Sequence, residues 1–333
     1  MKRRPMVLVV GAGSIGARHV RCFQRTGRAD VVVCEQNEAV RKEVAREYSL
    51  RDAYADFDTA IAAGPEAVVV CTPAHLHIPM AIKVVDANAH LLLEKPLSTS
   101  PDGVDELLRL CREKKRIASV AYVYRAHPVF AAMRAAIQSG RFGRPVQLVA
   151  TSGQNFPFYR PAYRDIYYKD RATGGGAVQD ALTHVVNAAE WIIGPVTKLA
   201  ADIDHQVLEG VSVEDTVHVI ARHGNAQATY SLNQHQAPNE STMTVVCEKG
   251  TARFSFHRHE WQSQTEPGAD WRMEDQRQIE RDDLFINQAN AFLDAVDGVL
   301  PAACTIDEAL QTLRVNLAIL KAAETQTWQT IEA

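Results

Sequence analysis

Two architectures follow one another along the chain: an α/β domain built on a doubly wound parallel sheet, then an α+β domain with a large open, mainly antiparallel sheet. Three observations predict this. Apolar runs alternate with helical patterns as far as residue 123, strand follows strand beyond residue 145, and 333 residues exceed what one core usually organises. The predicted division is 1–123 and 124–333.

The first strand is Met6 to Val10, a continuous apolar run suited to a parallel strand buried on both faces. It runs into Gly11-Ala12-Gly13-Ser14-Ile15-Gly16. In a G-x-G-x-x-G placed between strand and helix, the first glycine permits the turn and the second lets a pyrophosphate approach the backbone. The third lets helix and strand pack closely, and the helix amides at Ser14 and Ile15 hold the anion. The second strand, Asp30 to Cys34, is closed by Glu35, about 20 residues past the fingerprint, where a carboxylate accepts from a ribose 2′-hydroxyl and repels a 2′-phosphate. A Rossmann dinucleotide-binding domain using NAD rather than NADP is therefore expected.

Helix Glu38 to Tyr48, strand Ala67 to Cys71, helix His77 to Ala87, strand His90 to Glu94, helix Pro101 to Lys115 and strand Ile117 to Tyr122 continue the alternation. Ligands of such sheets bind beyond the carboxyl ends of the strands. Thr72-Pro73 and Glu94-Lys95-Pro96 stand there, so Thr72, Pro73, His77, Glu94 and Lys95 are expected to face the cofactor. His75 and His77 read as loop and helix-start residues, and no metal site is expected.

The second domain opens with helix His127 to Ser139 and the break Gly140 to Pro145. Val146 to Ser152, Thr197 to Asp204, Thr216 to Arg222, Ala226 to Asn233, Thr242 to Cys247 and Ala252 to Phe256 then read as one sheet, with hairpins at His223-Gly224-Asn225 and Glu248-Lys249-Gly250. A sheet of that size has a face to bury, and more apolar face than its own helices cover predicts a homo-oligomer. Between the first two strands, Gly174-Gly175-Gly176 opens a helix from Ala177 to Ile193. Val178, Leu182, Val185, Ala189 and Ile192 form its core stripe. Asp180, His184, Asn187 and Trp191 share another face, so Asp180 can orient His184 as a general base. Glycine is costly at a helix start unless something approaches the backbone closely. Upstream, Gln154 to Arg171 interleaves tyrosines and arginines, which suits a polyol with apolar faces and hydroxyl rims. Leu284 to Val296 and Thr305 to Ala323 read as structural amphipathic helices, the second with a Thr305/Glu308 capping box.

A net charge of −4 offers no footprint for nucleic acid or an anionic membrane, so small-molecule partners are expected. The six cysteines are far apart with no C-x-x-C, as in a reduced cytoplasmic protein. Met1-Lys2-Arg3-Arg4 imitates the start of a signal peptide, but the apolar run behind it is too short.

With the glycine fingerprint, Glu94-Lys95-Pro96 and Asp180-x-x-x-His184 in hand, the chain resembles the Gfo/Idh/MocA oxidoreductases. That family is named for glucose-fructose oxidoreductase, inositol dehydrogenase and a rhizopine catabolism protein. The resemblance runs nearly full length and includes Thr72-Pro73, Tyr124-Arg125, Gly140 to Gly143 and Gly174 to Gly176. It implies that Lys95, Asp180 and His184 line the junction of nicotinamide and sugar as catalytic residues, and that subunits pair through the second domain's sheet. Ser152-Gly153-Gln154 with Arg160-Pro161 is similar to members that act on bacterial surface sugars. Tyr124, Arg125, Gln154, Arg160, Tyr163 and Arg164 are accordingly expected to join the catalytic three in binding substrate.

Three functions fit these residues. The leading one is NAD-dependent oxidation or reduction at a secondary alcohol of a sugar, inositol or sugar derivative. A second is redox-neutral glycoside cleavage with retained NAD, and a third is a non-catalytic NAD-binding regulator, which would have no need of an acid–base set.

Overall fold

The computed structural model describes residues 3–332. Met1 and Lys2 of the basic start therefore lie outside the described residues. The chain divides into two compact units: the chain up to Ala126 with Glu280–Leu310, and His127–Ile279 with the chain from Gln311 onward. Beside the two-block division expected from the sequence, the segment Glu280–Leu310 thus returns to the first unit.

In the first unit β1 (Met6–Val10), α1 (Ser14–Arg25), β2 (Asp30–Cys34), α2 (Glu38–Glu47), β3 (Ala53–Tyr54), α3 (Phe57–Ala62), β4 (Ala67–Val70), α4 (His77–Asp86), β5 (His90–Leu93), α5 (Val104–Lys114) and β6 (Ala118–Val120) follow in order. The six strands form a parallel sheet in the order β3-β2-β1-β4-β5-β6, which reverses direction between β1 and β4. Such a switch point leaves a crevice at the carboxyl ends of those strands.

The second unit has α6 (Pro128–Gln138), β7 (Pro145–Gly153), the short α7 (Phe156–Tyr159), α8 (Thr183–Ile193) and strands β8 (Lys198–Asp204), β9 (Thr216–His223), β10 (Ala226–Asn233), β11 (Glu240–Cys247), β12 (Gly250–Ser255), β13 (Glu260–Gln264) and β14 (Arg272–Gln276). After α9 (Arg281–Val296) and α10 (Ile306–Thr325), β15 (Gln329–Thr330) closes a nine-stranded sheet, β14-β13-β12-β11-β7-β10-β9-β8-β15. Only the β7–β10 pair is parallel among its described pairings. β13, β14 and β15 went unread in the sequence because all three are short and polar, without an alternating apolar signature, and β14 and β15 are the sheet's edges.

α9 belongs with the first unit because Ala289, Phe292 and Leu293 enter the same core as Val20, Phe23 and Val33. The Asp282 carboxylate holds α1 there, accepting from Arg21 Nε at 2.6 Å and Nη2 at 2.9 Å. In the large sheet, Val217, Val219 and Ala221 of β9 are buried with Ala228, Tyr230 and Leu232 of β10. The opposite face exposes Thr151, His218, Ile220, Arg222, Gln227 and Thr229. The apolar face is thus buried within the chain itself, and the surplus of apolar surface expected from the sequence is not what this sheet presents.

Two histidines of the second unit are built in as neutral rings. His223 Nδ1 donates to the Gly194 carbonyl at 2.6 Å, and its Nε2 accepts from the Tyr230 hydroxyl at 2.6 Å. His127 Nδ1 accepts the Phe130 amide and its Nε2 faces His259 Nδ1 at 3.0 Å. Burial pushes each down to about 4. The unfolded chain, with histidines near 6.5, takes up these protons first, so stability is full above about pH 6.5 and falls as pH drops toward 4. Carboxylates held low extend the loss below their ordinary value of 3.8: Asp215, where backbone amides outweigh burial, and Asp282, paired with Arg21. Urea unfolding between pH 7 and 4.5 should show a fall on the order of 2 kcal/mol per buried histidine; a flat profile would contradict their neutral burial.

Candidate functional site

In the first unit the glycines are set by close approach. A Cβ on Gly16 would lie 1.8 Å from the Gly11 carbonyl oxygen, and Gly11 itself has φ +85° with Cys71 against it. Gly13 differs, because a Cβ there would meet nothing within 4 Å. The chain's own packing does not require that glycine, but a group arriving from outside would. Gly13 also caps α1 without any side-chain hydrogen bond, and the first turn carries no acidic residue. The amides of Ser14 and Ile15 thus begin a 12-residue helix ready for an anion.

Glu35 lies across this loop: its Oε2 accepts from the Ala12 amide at 2.8 Å and its Oε1 from the Asn37 amide at 2.8 Å. Each carboxylate oxygen keeps a second lone pair for a hydroxyl. Arg41 donates to the carbonyls of Glu35 and Gln36, at 2.7 and 3.2 Å, and so braces the loop behind the acid. An uncapped helix start, a bare glycine and a hydroxyl-accepting carboxylate fit an NAD dinucleotide.

Past the ends of β4 and β5, polar side chains find partners within the chain. Glu94 is buried, and its Oε1 pairs with His19 Nε2 at 2.7 Å while its Oε2 accepts the Lys95 amide at 3.1 Å. A carboxylate at the end of an apolar strand needs an internal partner. Glu94 thus anchors β5 to α1. His77 is likewise enclosed, its Nε2 2.8 Å from the Thr72 carbonyl and its Nδ1 2.9 Å from that of Pro96, and burial lowers its pKa. It ties two cofactor-side loops together rather than facing outward. Pro73 and His75 are exposed, Thr72 and Lys95 half-buried, and the Thr72 hydroxyl rests on Met80 Sδ at 3.5 Å.

Tyr124 lies in the 3-10 turn Val123–Ala126, where burial pushes its phenol up to about 12. Arg125, expected to bind substrate, donates instead to Glu308 Oε1 at 2.6 Å and the Ala303 carbonyl at 3.0 Å. Its side chain is 3% exposed, an ion pair enclosed by the fold.

In the second unit the expected helix has a different start. Val178–Leu182 is π-helical, and only Thr183–Ile193 is α-helical. A π segment widens the helix and is common where a side chain is re-aimed for function. Asp180 sits within it, 4% exposed, and its Oδ1 accepts from the Tyr167 hydroxyl at 2.6 Å. His184 follows one turn on, half-buried. The core stripe of Val178, Leu182, Val185, Ala189 and Ile192 is buried throughout. Asn187 belongs to the interior, its Nδ2 donating to Thr312 Oγ1 at 3.0 Å, whereas Trp191 is half-buried with Arg134 stacked 4.5 Å over its ring.

The triple glycine answers to the chain, not to a ligand. A Cβ on Gly175 would lie 2.2 Å from the Tyr168 carbonyl oxygen, and one on Gly176 2.4 Å from Glu214 Oε1. Glu214, 1% exposed, accepts the Val178 amide at 3.0 Å and pairs with Arg171 at 2.7 Å. Asp215 accepts the amides of Gln206, Val207 and Leu208 at 2.7 to 3.0 Å. Sequence reading missed this acidic pair, because nothing local marks a charge as buried.

The aromatic stretch divides in the same way. Phe156, Tyr163, Tyr168, Leu208 and Val213 form a small core of their own. The Tyr163 hydroxyl donates to the Glu209 carbonyl at 2.7 Å, and Arg164 Nε reaches that carbonyl at 2.9 Å. Tyr163 and Arg164 thereby tie the loop to Glu209. Gln154 and Arg160 stay half-exposed, Gln154 bonded through its amide to the Asn233 carbonyl and Arg160 lying 5.8 Å over Phe156. Tyr167, in the 3-10 turn Tyr167–Lys169, is the one tyrosine of the stretch seen to reach Asp180; two adjacent tyrosines carry no sign of which turns inward.

Among known proteins, the profile described as "Oxidoreductase family, NAD-binding Rossmann fold" matches residues 6–122, and the "GFO/IDH/MocA C-terminal domain" matches residues 130–253. The levoglucosan dehydrogenase of Pseudarthrobacter phenanthrenivorans is 25% identical over 255 residues, 69% of this chain and 65% of that protein. The inositol 2-dehydrogenase of Rhizobium meliloti is 27% identical over 236 residues, 69% of this chain and 68% of its own. In fold, a levoglucosan dehydrogenase in complex with NADH and levoglucosan superposes with a TM-score of 0.91 at 20% identity, over 99% of this chain and 100% of that one.

Glu35 makes the cofactor preference testable. Calorimetry should find NAD bound more tightly than NADP, with Glu35→Ala narrowing the gap. Equal or tighter NADP binding by the parent protein would remove Glu35 from the ribose site.

Proposed function

The chain belongs to the Gfo/Idh/MocA oxidoreductase family, and from that premise we propose that it is an NAD-dependent oxidoreductase acting on a secondary alcohol of a sugar, inositol or sugar derivative. The observation that carries the reading is the uncapped start of α1 with Glu35 across its loop, a cradle for a diphosphate beside a hydroxyl-accepting carboxylate. Relatives named for levoglucosan and inositol, both polyhydroxylated rings, support the substrate class. An NAD whose diphosphate rests in that cradle would supply the hydride chemistry at its nicotinamide.

The chain's own part is to handle the proton. In the direction of oxidation His184 takes the hydroxyl proton, and the Asp180 carboxylate favours the imidazolium that results. Lys95 donates a hydrogen bond to the same oxygen, steadying the negative charge that grows there. Gln154 and Arg160 supply hydrogen bonds to the substrate's other hydroxyls. Six free cysteines suit a reducing, cytoplasmic setting, and no helix among the described residues is long and apolar enough to cross a membrane.

NADH absorbance over a panel of sugars, inositols and nucleotide sugars identifies the substrate. With it, His184→Ala should lower turnover roughly 100-fold to 10,000-fold while NAD affinity barely changes. Asp180→Asn should lose less, and Lys95→Ala should impair both turnover and substrate binding. A folded His184→Ala protein that turns over at the parent rate, with a substrate deuterium isotope effect showing chemistry to be rate-limiting, would defeat the assignment.

Self-association through the nine-stranded sheet is part of the proposal, with Ile220 and its threonine and glutamine neighbours as the contact face. Sedimentation should find a species larger than the 36.8 kDa chain at micromolar concentration. Replacing Ile220 with Asp should weaken it, whereas a parent protein that sediments only as monomer would exclude the pairing.

A further inference from the structure

The segment from Tyr167 to Gly176 is cross-linked at nearly every step. The Tyr167 carbonyl accepts the Thr173 hydroxyl at 2.8 Å and the Asp170 amide at 3.2 Å. The Tyr168 ring is fully buried with its hydroxyl on Gln234, and its carbonyl accepts the Gly176 amide at 3.1 Å. Gln179 Nε2 returns to the Arg171 carbonyl at 3.1 Å. With Tyr168 locked into the aromatic core, its neighbour on the turn faces the π segment. There the Tyr167 hydroxyl meets Asp180.

Three carboxylates crowd this part of the unit, since Asp180, Glu214 and Asp215 all bear electrostatically on Tyr168. Glu214 is balanced by Arg171 and the Val178 amide, and Asp215 by three amides and the Thr216 hydroxyl. Asp180 Oδ1 accepts from the Tyr167 hydroxyl, a donor that carries no charge. A neutral donor holds a carboxylate ionised and aimed without cancelling its field.

We propose that Tyr167 is a positioning residue for the acid–base pair: by donating to Asp180 Oδ1 it fixes the orientation of the carboxylate and tempers how strongly that carboxylate draws a proton onto His184. This deepens the function proposed above and rests on Asp180 and His184 being the pair of that reading. A base must let go of its proton as well as take it, so the strength of the carboxylate behind the imidazole is set by what else the carboxylate binds. Tyr167 touches neither hydride nor hydroxyl in this scheme, and it acts through Asp180.

The test does not need the substrate. Histidine-selective NMR on the full chain with NAD added follows the His184 ring through pH, its resonance assigned by absence from the spectrum of His184→Gln. In Tyr167→Phe the carboxylate loses a donor and becomes a stronger acceptor, so His184 should titrate at higher pH, by about half to one pH unit. In Asp180→Asn it should titrate lower than in the parent. Tyr168→Phe, which loosens the aromatic core without touching Asp180, should lower the thermal midpoint and leave the His184 titration in place. A Tyr167→Phe curve that coincides with the parent's or moves downward overturns the inference, as does an equal upward shift in Tyr168→Phe. If Asp180→Asn leaves His184 unmoved, the acid–base pair itself fails, and the role of Tyr167 fails with it. An unmoved Tyr167→Phe beside a shifted Asp180→Asn fails the tyrosine alone.

Discussion

A buried carboxylate at the head of a helix governs the second unit. Glu214 is almost wholly enclosed, and an ion so placed is tolerable only when paired and hydrogen-bonded. Arg171 and the Val178 amide meet that requirement. In meeting it they bring the loop before the glycines and the first turn after them onto one side chain. Gly176 is glycine because the carboxylate fills the space a Cβ would take. The π segment that carries Asp180 begins at that anchor, so the acid's position follows from a charge that lies beyond β8 in the chain.

The first unit works by a similar economy. Its glycine loop is shaped by the chain at Gly11 and Gly16 but left bare at Gly13, and the helix behind it begins without a cap. Unmet amides at a helix start are a cost unless an anion completes them. Glu94 and His77 are turned inward at the ends of β5 and β4, where they fix strand, helix and loop to one another. Rigid support of this kind holds a binding surface in place without contributing an atom to it.

Sequence alone determined what depends on short-range pattern. The alternation of apolar runs and helices specified the parallel sheet, G-x-G-x-x-G its ligand-facing turn, and Glu35 about twenty residues on its carboxylate. The capping box at Thr305 and Glu308 is present as read, with the Thr305 amide on Glu308 Oε2 at 2.9 Å. The tertiary structure decided which polar side chains face outward. Arg125, Tyr163, Arg164 and Glu94 carry the chemistry of ligand-binding residues, and only the folded chain shows their distant partners, Glu308, Glu209 and His19. Tyr167 shows the reverse case, one member of the aromatic stretch given its particular place by Asp180. Periodicity is a property of neighbours along the chain, whereas burial and pairing are set by residues tens or hundreds of positions apart, so no local pattern could have carried them.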